Sequence, residues 1–185
     1  TSGIVSATGG NFSGTVTATK FSGDGSGLTG VSTNTHLDSN NNVAVGGVVS
    51  ATYAVAIGFE ALKSNTSGAK NSAIGYSSLA SNTTANGNSA LGYLSLKSNT
   101  TGGENTAIGA SSLKNNTTGY HNVAVGRGAL KDNITGSKNV AIGTETLEDN
   151  QSSSEHTAVG YRALYNNTTG QKNTAIGPYS SQNNT

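Results

Sequence analysis

The chain has 185 residues, a formal net charge of +1, 32% hydrophobic residues and no Cys, Met or Trp. Near-neutral charge supplies no basic patch for nucleic acid, and absent cysteines exclude a disulfide framework and a thiolate metal site. No apolar run approaches the ~18 residues of a membrane span, so membrane insertion is not expected. Low hydrophobicity usually marks disorder, but disordered chains are ordinarily highly charged or proline-rich. Here 10% of residues are charged and Pro178 is the one proline. That profile fits a repeat architecture whose thin core is shared along its length.

Residues 1–53 carry three versions of one strand-like hexamer, starting at Gly3, Gly14 and Gly47, and a repeated Phe-Ser-Gly at Phe12 and Phe21. Gly23-Asp24-Gly25-Ser26-Gly27 follows. A calcium loop needs several carboxylates and this one offers only Asp24, and no Lys-Ser/Thr completes a phosphate loop, so a turn is expected. Residues 1–42 read as a β-rich shaft or connector. A short first coil is expected over residues 43–57, beginning at Val43-Ala44-Val45-Gly46, and longer coils run from there to 185.

An Ala-(Ile/Val/Leu)-Gly triplet ends at Gly58, Gly75, Gly92, Gly109, Gly126, Gly143, Gly160 and Gly177, always 17 residues apart. Leu follows four residues after each Gly until Ser181, and Asn follows seven after, from Asn65 to Asn184. A second Asn column (Asn71, Asn88, Asn105, Asn122, Asn139, Asn173) is broken by His156. Seventeen residues are too few for a helix-turn-helix repeat and suit one coil of a β-solenoid with Gly- and Asn-rich turns. Stacked coils place like residues about 4.8 Å apart, so each column becomes a structural ladder. Ala73, Ala107 and Ala141 mark one ladder, and Ile74, Ile108 and Ile142 mark the next. Gly75, Gly109 and Gly143 form a third, Leu79, Leu113 and Leu147 a fourth, and Asn82, Asn116 and Asn150 a fifth. The glycines ten residues after the triplet (Gly68, Gly102, Gly119, Gly136, Gly170) are expected to supply a positive φ.

Adjacent strand residues face opposite sides. Columns of Ala and Ile/Val that are both apolar throughout imply burial on both faces. One face fills the coil interior with Leu, and the other lines a core between chains, which predicts a multi-chain assembly. A tight bend at the triplet is the alternative, and then one chain suffices. The lysines five residues after Gly (Lys63, Lys97, Lys114, Lys131) and the mixed charges twelve after (Lys70, Glu104, His121, Lys138, Glu155, Lys172) read as solvated faces.

The (S/T/V)-A-(I/V)-G unit with its polar turn resembles the left-handed β-roll head repeats of trimeric autotransporter adhesins, the YadA-like heads. Those repeats are commonly shorter, so a longer outer loop is implied. The segment from Thr17 to Val31 (TATKFSGDGSGLTGV) is similar to segments of bacteriophage tail fibres, notably of cyanophages. Both resemblances imply a parallel homotrimer, located on a virion tail fibre or a cell surface. The chain begins without Met and ends in mid-repeat, so a piece of a longer protein is expected.

No nucleophile-base-acid set stands out among the many Ser and Thr residues, and neither enzyme activity nor a cofactor is expected. His36, His121 and His156 are too far apart for one metal ion and read as exposed ladder residues. Asn-Thr-Thr sequons at Asn82, Asn99 and Asn116 are expected to be buried structural ladders rather than glycan acceptors. Candidate surface-recognition residues are Phe59, Tyr76, Tyr93 and Tyr161, each directly after a triplet Gly and suited to stacking on host glycans; packing over the coil edge is the plainer reading. Thr66, Thr83, Thr100 and Thr117 form a regular column such as occurs on ice-binding solenoids, but Ile134 and Gln151 interrupt it and its turn context argues against a flat array. The expected function is a rigid fibre segment with attachment to a host-surface glycan or protein receptor. A self-assembling extracellular filament and an ice-binding solenoid are the alternatives.

Overall fold

The computed structural model describes residues 52–184 and the backbone of two upstream strands, β1 (His36–Leu37) and β2 (Val43–Val45). The hexamers, the Gly23–Gly27 turn and, apart from β1, the shaft expected over residues 1–42 lie outside the described residues. Eight strands of three residues follow: β3 (Val55–Ile57), β4 (Ser72–Ile74), β5 (Ser89–Leu91), β6 (Thr106–Ile108), β7 (Val123–Val125), β8 (Val140–Ile142), β9 (Thr157–Val159) and β10 (Thr174–Ile176). They form one sheet in strict chain order. From β3 to β10 every neighbour is parallel and in register at an offset of 17, pairing Ala56 with Ala73 and so on to Ala158 with Ala175. The chain is an all-β solenoid of 17-residue coils. β2 pairs with β3 in parallel at an offset of 12 (Val43 with Val55), and β1 pairs with β2 antiparallel.

Each strand is short because Gly ends it. The triplet glycines from Gly58 to Gly177 hold φ between 113° and 142°, a region that L-residues rarely adopt. They also meet the next coil at close range: a Cβ on Gly109 would lie 2.6 Å from the Gly126 carbonyl oxygen. The glycines ten residues after the triplet are not at positive φ, contrary to the expectation above. Close approach accounts for them instead. A Cβ on Gly119 would lie 2.3 Å from the Gly136 carbonyl oxygen and 2.4 Å from Asn116 Oδ1. Ala85 and Ser153 occupy this position in two coils, and Asn82 Nδ2 reaches the Ala85 carbonyl at 3.2 Å, against 2.9 Å for Asn116 to Gly119.

Positive φ falls on side-chain-bearing residues at three other points of the coil. They lie two residues after the triplet Gly (Ser77, Ser111, Glu145), four after (Leu79, Leu113, Leu147) and twelve after (Lys70, Glu104, His121). A left-handed residue with a Cβ costs about 1 kcal/mol. Leu is nonetheless retained because its side chain fills the coil: Leu62 through Leu164 are wholly buried. Each of these Leu N–H groups also donates to the next coil, Leu113 to the Ala129 carbonyl at 3.0 Å. The strand Ala column lies beside it, with Ala73, Ala107 and Ala141 wholly buried. A small-residue column containing Ala61, Ser78, Ser112 and Ala129 completes the interior.

The triplet Gly carries two separable demands, which a pair of variants resolves. Gly109→Ala meets both the φ of 127° and the carbonyl of the next coil. It is expected to cost about 3 kcal/mol or more in urea unfolding. Gly128, also at positive φ (69°), would bring a Cβ no nearer than 3.5 Å to a side chain of the next coil, so Gly128→Ala retains only the φ strain and should cost about 1 kcal/mol. Equal losses at the two positions would contradict the stacking account.

Candidate functional site

The polar interior is built from two Asn ladders that meet at one carbonyl. Asn116 Nδ2 donates to Asn99 Oδ1 one coil back (2.8 Å) and to the Gly119 carbonyl three residues ahead (2.9 Å). Its own Oδ1 accepts from Asn133 Nδ2 at 2.7 Å. In the second ladder Asn105 Oδ1 accepts the backbone N–H of Asn122 (2.9 Å), and Asn105 Nδ2 donates to the same Gly119 carbonyl (2.8 Å). Among the described residues no buried side-chain nitrogen or oxygen lacks a partner, so these wholly buried amides escape the desolvation penalty of orphaned polar groups. The sequons at Asn82, Asn99 and Asn116 sit in this ladder with their Nδ2 atoms hydrogen-bonded, so the folded coil withholds them from glycan transfer.

His156 departs from the expectation of an exposed ladder residue: it is wholly buried in the second Asn ladder. Its Nδ1 accepts the Asn173 backbone N–H at 3.1 Å, as an Asn Oδ1 does in the other coils. Nε2 lies 3.1 Å from the Asn167 side-chain nitrogen of the first ladder and faces the Gly170 backbone, fourteen residues on, which is the offset that the Asn Nδ2 atoms reach. The imidazole is an Asn surrogate in its neutral form, and burial pushes its pKa below the ordinary value. His121 is exposed and hydrogen-bonds Glu104 through Nδ1 at 2.9 Å.

The outward side of the sheet is apolar or uncharged in every coil. The two apolar ladders of the triplet part company here. Ala73, Ala107 and Ala141 face the interior, whereas Ile74, Ile108 and Ile142 face out. The expectation of burial on both faces therefore holds within one chain for the Ala ladder alone. Ile74, Leu91, Ile108 and Ile142 are 38–47% exposed, and Ile176 is 72% exposed. The residue two before each is Ser, Thr or Val, so the face carries no charge from β3 to β10. The bend alternative does not hold, because Ala107 pairs with Ala124 and Ile108 with Val125 in regular parallel register, and Ala141 with Ala158 likewise.

Phe59, Tyr76 and Tyr93 form an exposed ladder, with near-parallel rings at centroid distances of 5.6 and 5.5 Å. Ala110 ends the stack. Tyr161 stands in the same column four coils beyond Tyr93 and makes an edge contact with Tyr179 at 5.2 Å, so the structure does not gather all four residues. The charged columns pair along the axis. Glu145 bridges Arg127 and Arg162 from adjacent coils, and the Arg162 hydrogen bond holds its carboxyl below the usual range. Lys131 pairs with Glu148 at 2.7 Å.

The Thr column does not present free hydroxyls. Thr83 Oγ1 donates to the Thr100 carbonyl and Thr100 Oγ1 to the Thr117 carbonyl, both at 3.1 Å. These bonds continue the axial stacking and remove the basis for reading the column as an ice template. No group of three or more His, Asp or Glu residues converges among the described residues as metal ligands would. Comparison with protein-family models, with curated proteins and with solved structures finds no match to this chain.

The neutral His156 makes stability pH-dependent. Its folded pKa is lowered, so its contribution is fully present above the unfolded value of about 6.5 and declines as pH falls through that value. Urea midpoints measured between about pH 5 and pH 8 should therefore fall on acidification, and His156→Asn should flatten that part of the curve. An unchanged profile in His156→Asn would contradict the surrogate role.

Proposed function

We propose that the chain is a structural segment of an extracellular fibre, of the kind found in phage tail fibres or surface adhesins, and that three copies assemble in parallel. A β-solenoid of in-register coils fits a fibre-like structural element: its axial hydrogen bonds give stiffness and its length grows by simple repetition. The single observation that carries the assembly is the outward Ile/Val/Leu column. The interior polar groups are satisfied within one chain, yet a continuous uncharged stripe faces outward in every coil. Exposed apolar patches of such continuity mark interaction surfaces. Identical coils related by a shared axis would bring like stripes together, and the short outward Ser, Thr and Val neighbours leave room for close packing. The aromatic ladder of Phe59, Tyr76 and Tyr93 adds a surface able to touch a host glycan.

Native mass spectrometry tests the assembly. The expected species has three times the 18.4 kDa chain mass, and Ile108→Lys with Ile142→Lys should shift it to monomer by placing charge in the apolar stripe. Circular dichroism of that double variant should keep the β signal, because both side chains point away from the coil core. A parent chain that stays monomeric at micromolar concentration would overturn the trimer, and indefinite polymers in electron micrographs would replace it with a filament.

A further inference from the structure

We infer that the surface notch at Gly103 is a binding site for one neutral pyranose unit of a glycan. This inference rests on reading the rod as a surface-attachment element, and it names a site away from the aromatic ladder. Eleven residues after the triplet Gly, the coils carry Asn86, Gly103 and Tyr120 in succession. Gly103 contributes no side chain, so a gap one coil wide opens between an amide and an exposed aromatic ring. The resulting cleft, of about 230 Å³, is lined by Asn86, Thr101, Gly103, Glu104, Tyr120 and His121. A Cβ on Gly103 would have the Asn86 carbonyl oxygen at 3.1 Å and would begin to fill it.

The chemistry around the cleft suits a polyhydroxylated ring. Tyr120 is 45% exposed, and its ring is fixed edge-on against the His121 imidazole at 5.1 Å. Such a ring offers an apolar platform for the C–H face of a sugar. Glu104 Oε2 is engaged by His121 Nδ1, while Oε1 has no partner among the described residues and can accept a hydroxyl. Asn86 Oδ1 accepts the Ala69 N–H at 2.6 Å, which orients the amide and leaves its NH2 to donate. An aromatic wall with a few oriented polar groups supplies the contacts for one sugar ring on an open, shallow surface, rather than an enclosed pocket. No cluster of Lys or Arg lines the cleft, which disfavours phosphate or sulfate, and its polar lining disfavours a lipid tail. The same column brings no comparable gap elsewhere: Tyr120 is followed by Ser137 and Ser154, and Asn86 is preceded by Ala69.

The test combines a printed glycan array with saturation-transfer NMR on methyl glucoside, galactoside and mannoside. The parent chain is expected to bind, and Tyr120→Ala and Gly103→Gln should each weaken binding about tenfold or more. Tyr76→Ala, in the separate aromatic ladder, should not. Unchanged circular dichroism melting certifies the fold of each variant. A parent that binds none of the printed glycans, or binding that survives both Tyr120→Ala and Gly103→Gln, overturns the cleft. Native mass spectrometry on the same samples keeps the two ideas apart. A trimer that binds through other residues overturns the cleft alone, whereas a monomer whose binding depends on Tyr120 supports the cleft and overturns the fibre assembly.

Discussion

Axial stacking at the sheet spacing governs every other feature of this chain. Coils about 4.8 Å apart bring the backbone of one against the backbone of the next around the whole circuit, not only at the strands. That approach crowds a Cβ where Gly109 faces the Gly126 carbonyl, in every coil that another follows, and where Gly119 faces the Gly136 carbonyl, a column in which Ala85 and Ser153 are the two exceptions. The three-residue strands supply only part of the axial hydrogen bonding. The rest comes from turn residues whose N–H groups point up or down the axis, and the left-handed conformation of Leu113 belongs to that arrangement. Backbone strain at Leu is sustained because its side chain is the largest apolar group available to a narrow interior.

The same constraint explains how a chain with so little apolar content can hold a core. A coil this narrow has space for one Leu, one Ala and one small residue, and the remaining interior is polar. Unpaired amides there would cost more than the Leu column returns. The Asn ladders resolve this by giving each side chain partners in its own coil and in its neighbours, converging on carbonyls such as that of Gly119. His156 shows that the requirement is one of hydrogen-bond pattern rather than residue type: its Nδ1 accepts the Asn173 N–H where an Asn Oδ1 does so in the other coils, and burial disfavours its charge.

Much of this is legible in the sequence because periodicity reports register directly. The 17-residue interval of Ala-(Ile/Val)-Gly fixes which residues stack, and the invariance of Asn82, Asn116 and Asn150 signals a buried ladder. What periodicity does not report is direction. Ala107 and Ile108 are equally regular in sequence, yet one is wholly buried and the other exposed, and Ala141 and Ile142 divide in the same way. Periodicity marks Gly119 as special without saying whether φ or contact is the reason, and it does not show that positive φ falls on Leu113. Residue type misleads at His156, although its place in the Asn column already carries the right signal. The hydroxyls of Thr83 and Thr100 look available in a one-dimensional reading, and only the axial geometry shows them bonded to carbonyls. The Gly103 notch escapes such a reading for a related reason: it arises from the absence of a side chain between Asn86 and Tyr120, which are 34 residues apart in sequence and two coils apart in space.

A ladder protein divides its residues into those that must repeat and those that are free to differ, and the two sets have different work. Positions facing the interior are held by neighbours above and below, so a change in one coil is felt in three. Positions facing outward are coupled only through side-chain pairs such as Lys131 with Glu148, or the ring stack of Tyr76 with Tyr93. The outward Ile/Val/Leu column is the exception, being regular yet exposed. The chain's internal packing gives no reason for that regularity, since Ser or Thr satisfies the strand equally well two residues earlier. The proposed assembly would supply one from outside the chain. On the proposed reading, regular exposed positions serve assembly, and irregular ones, where an aromatic stands beside a missing side chain, serve recognition.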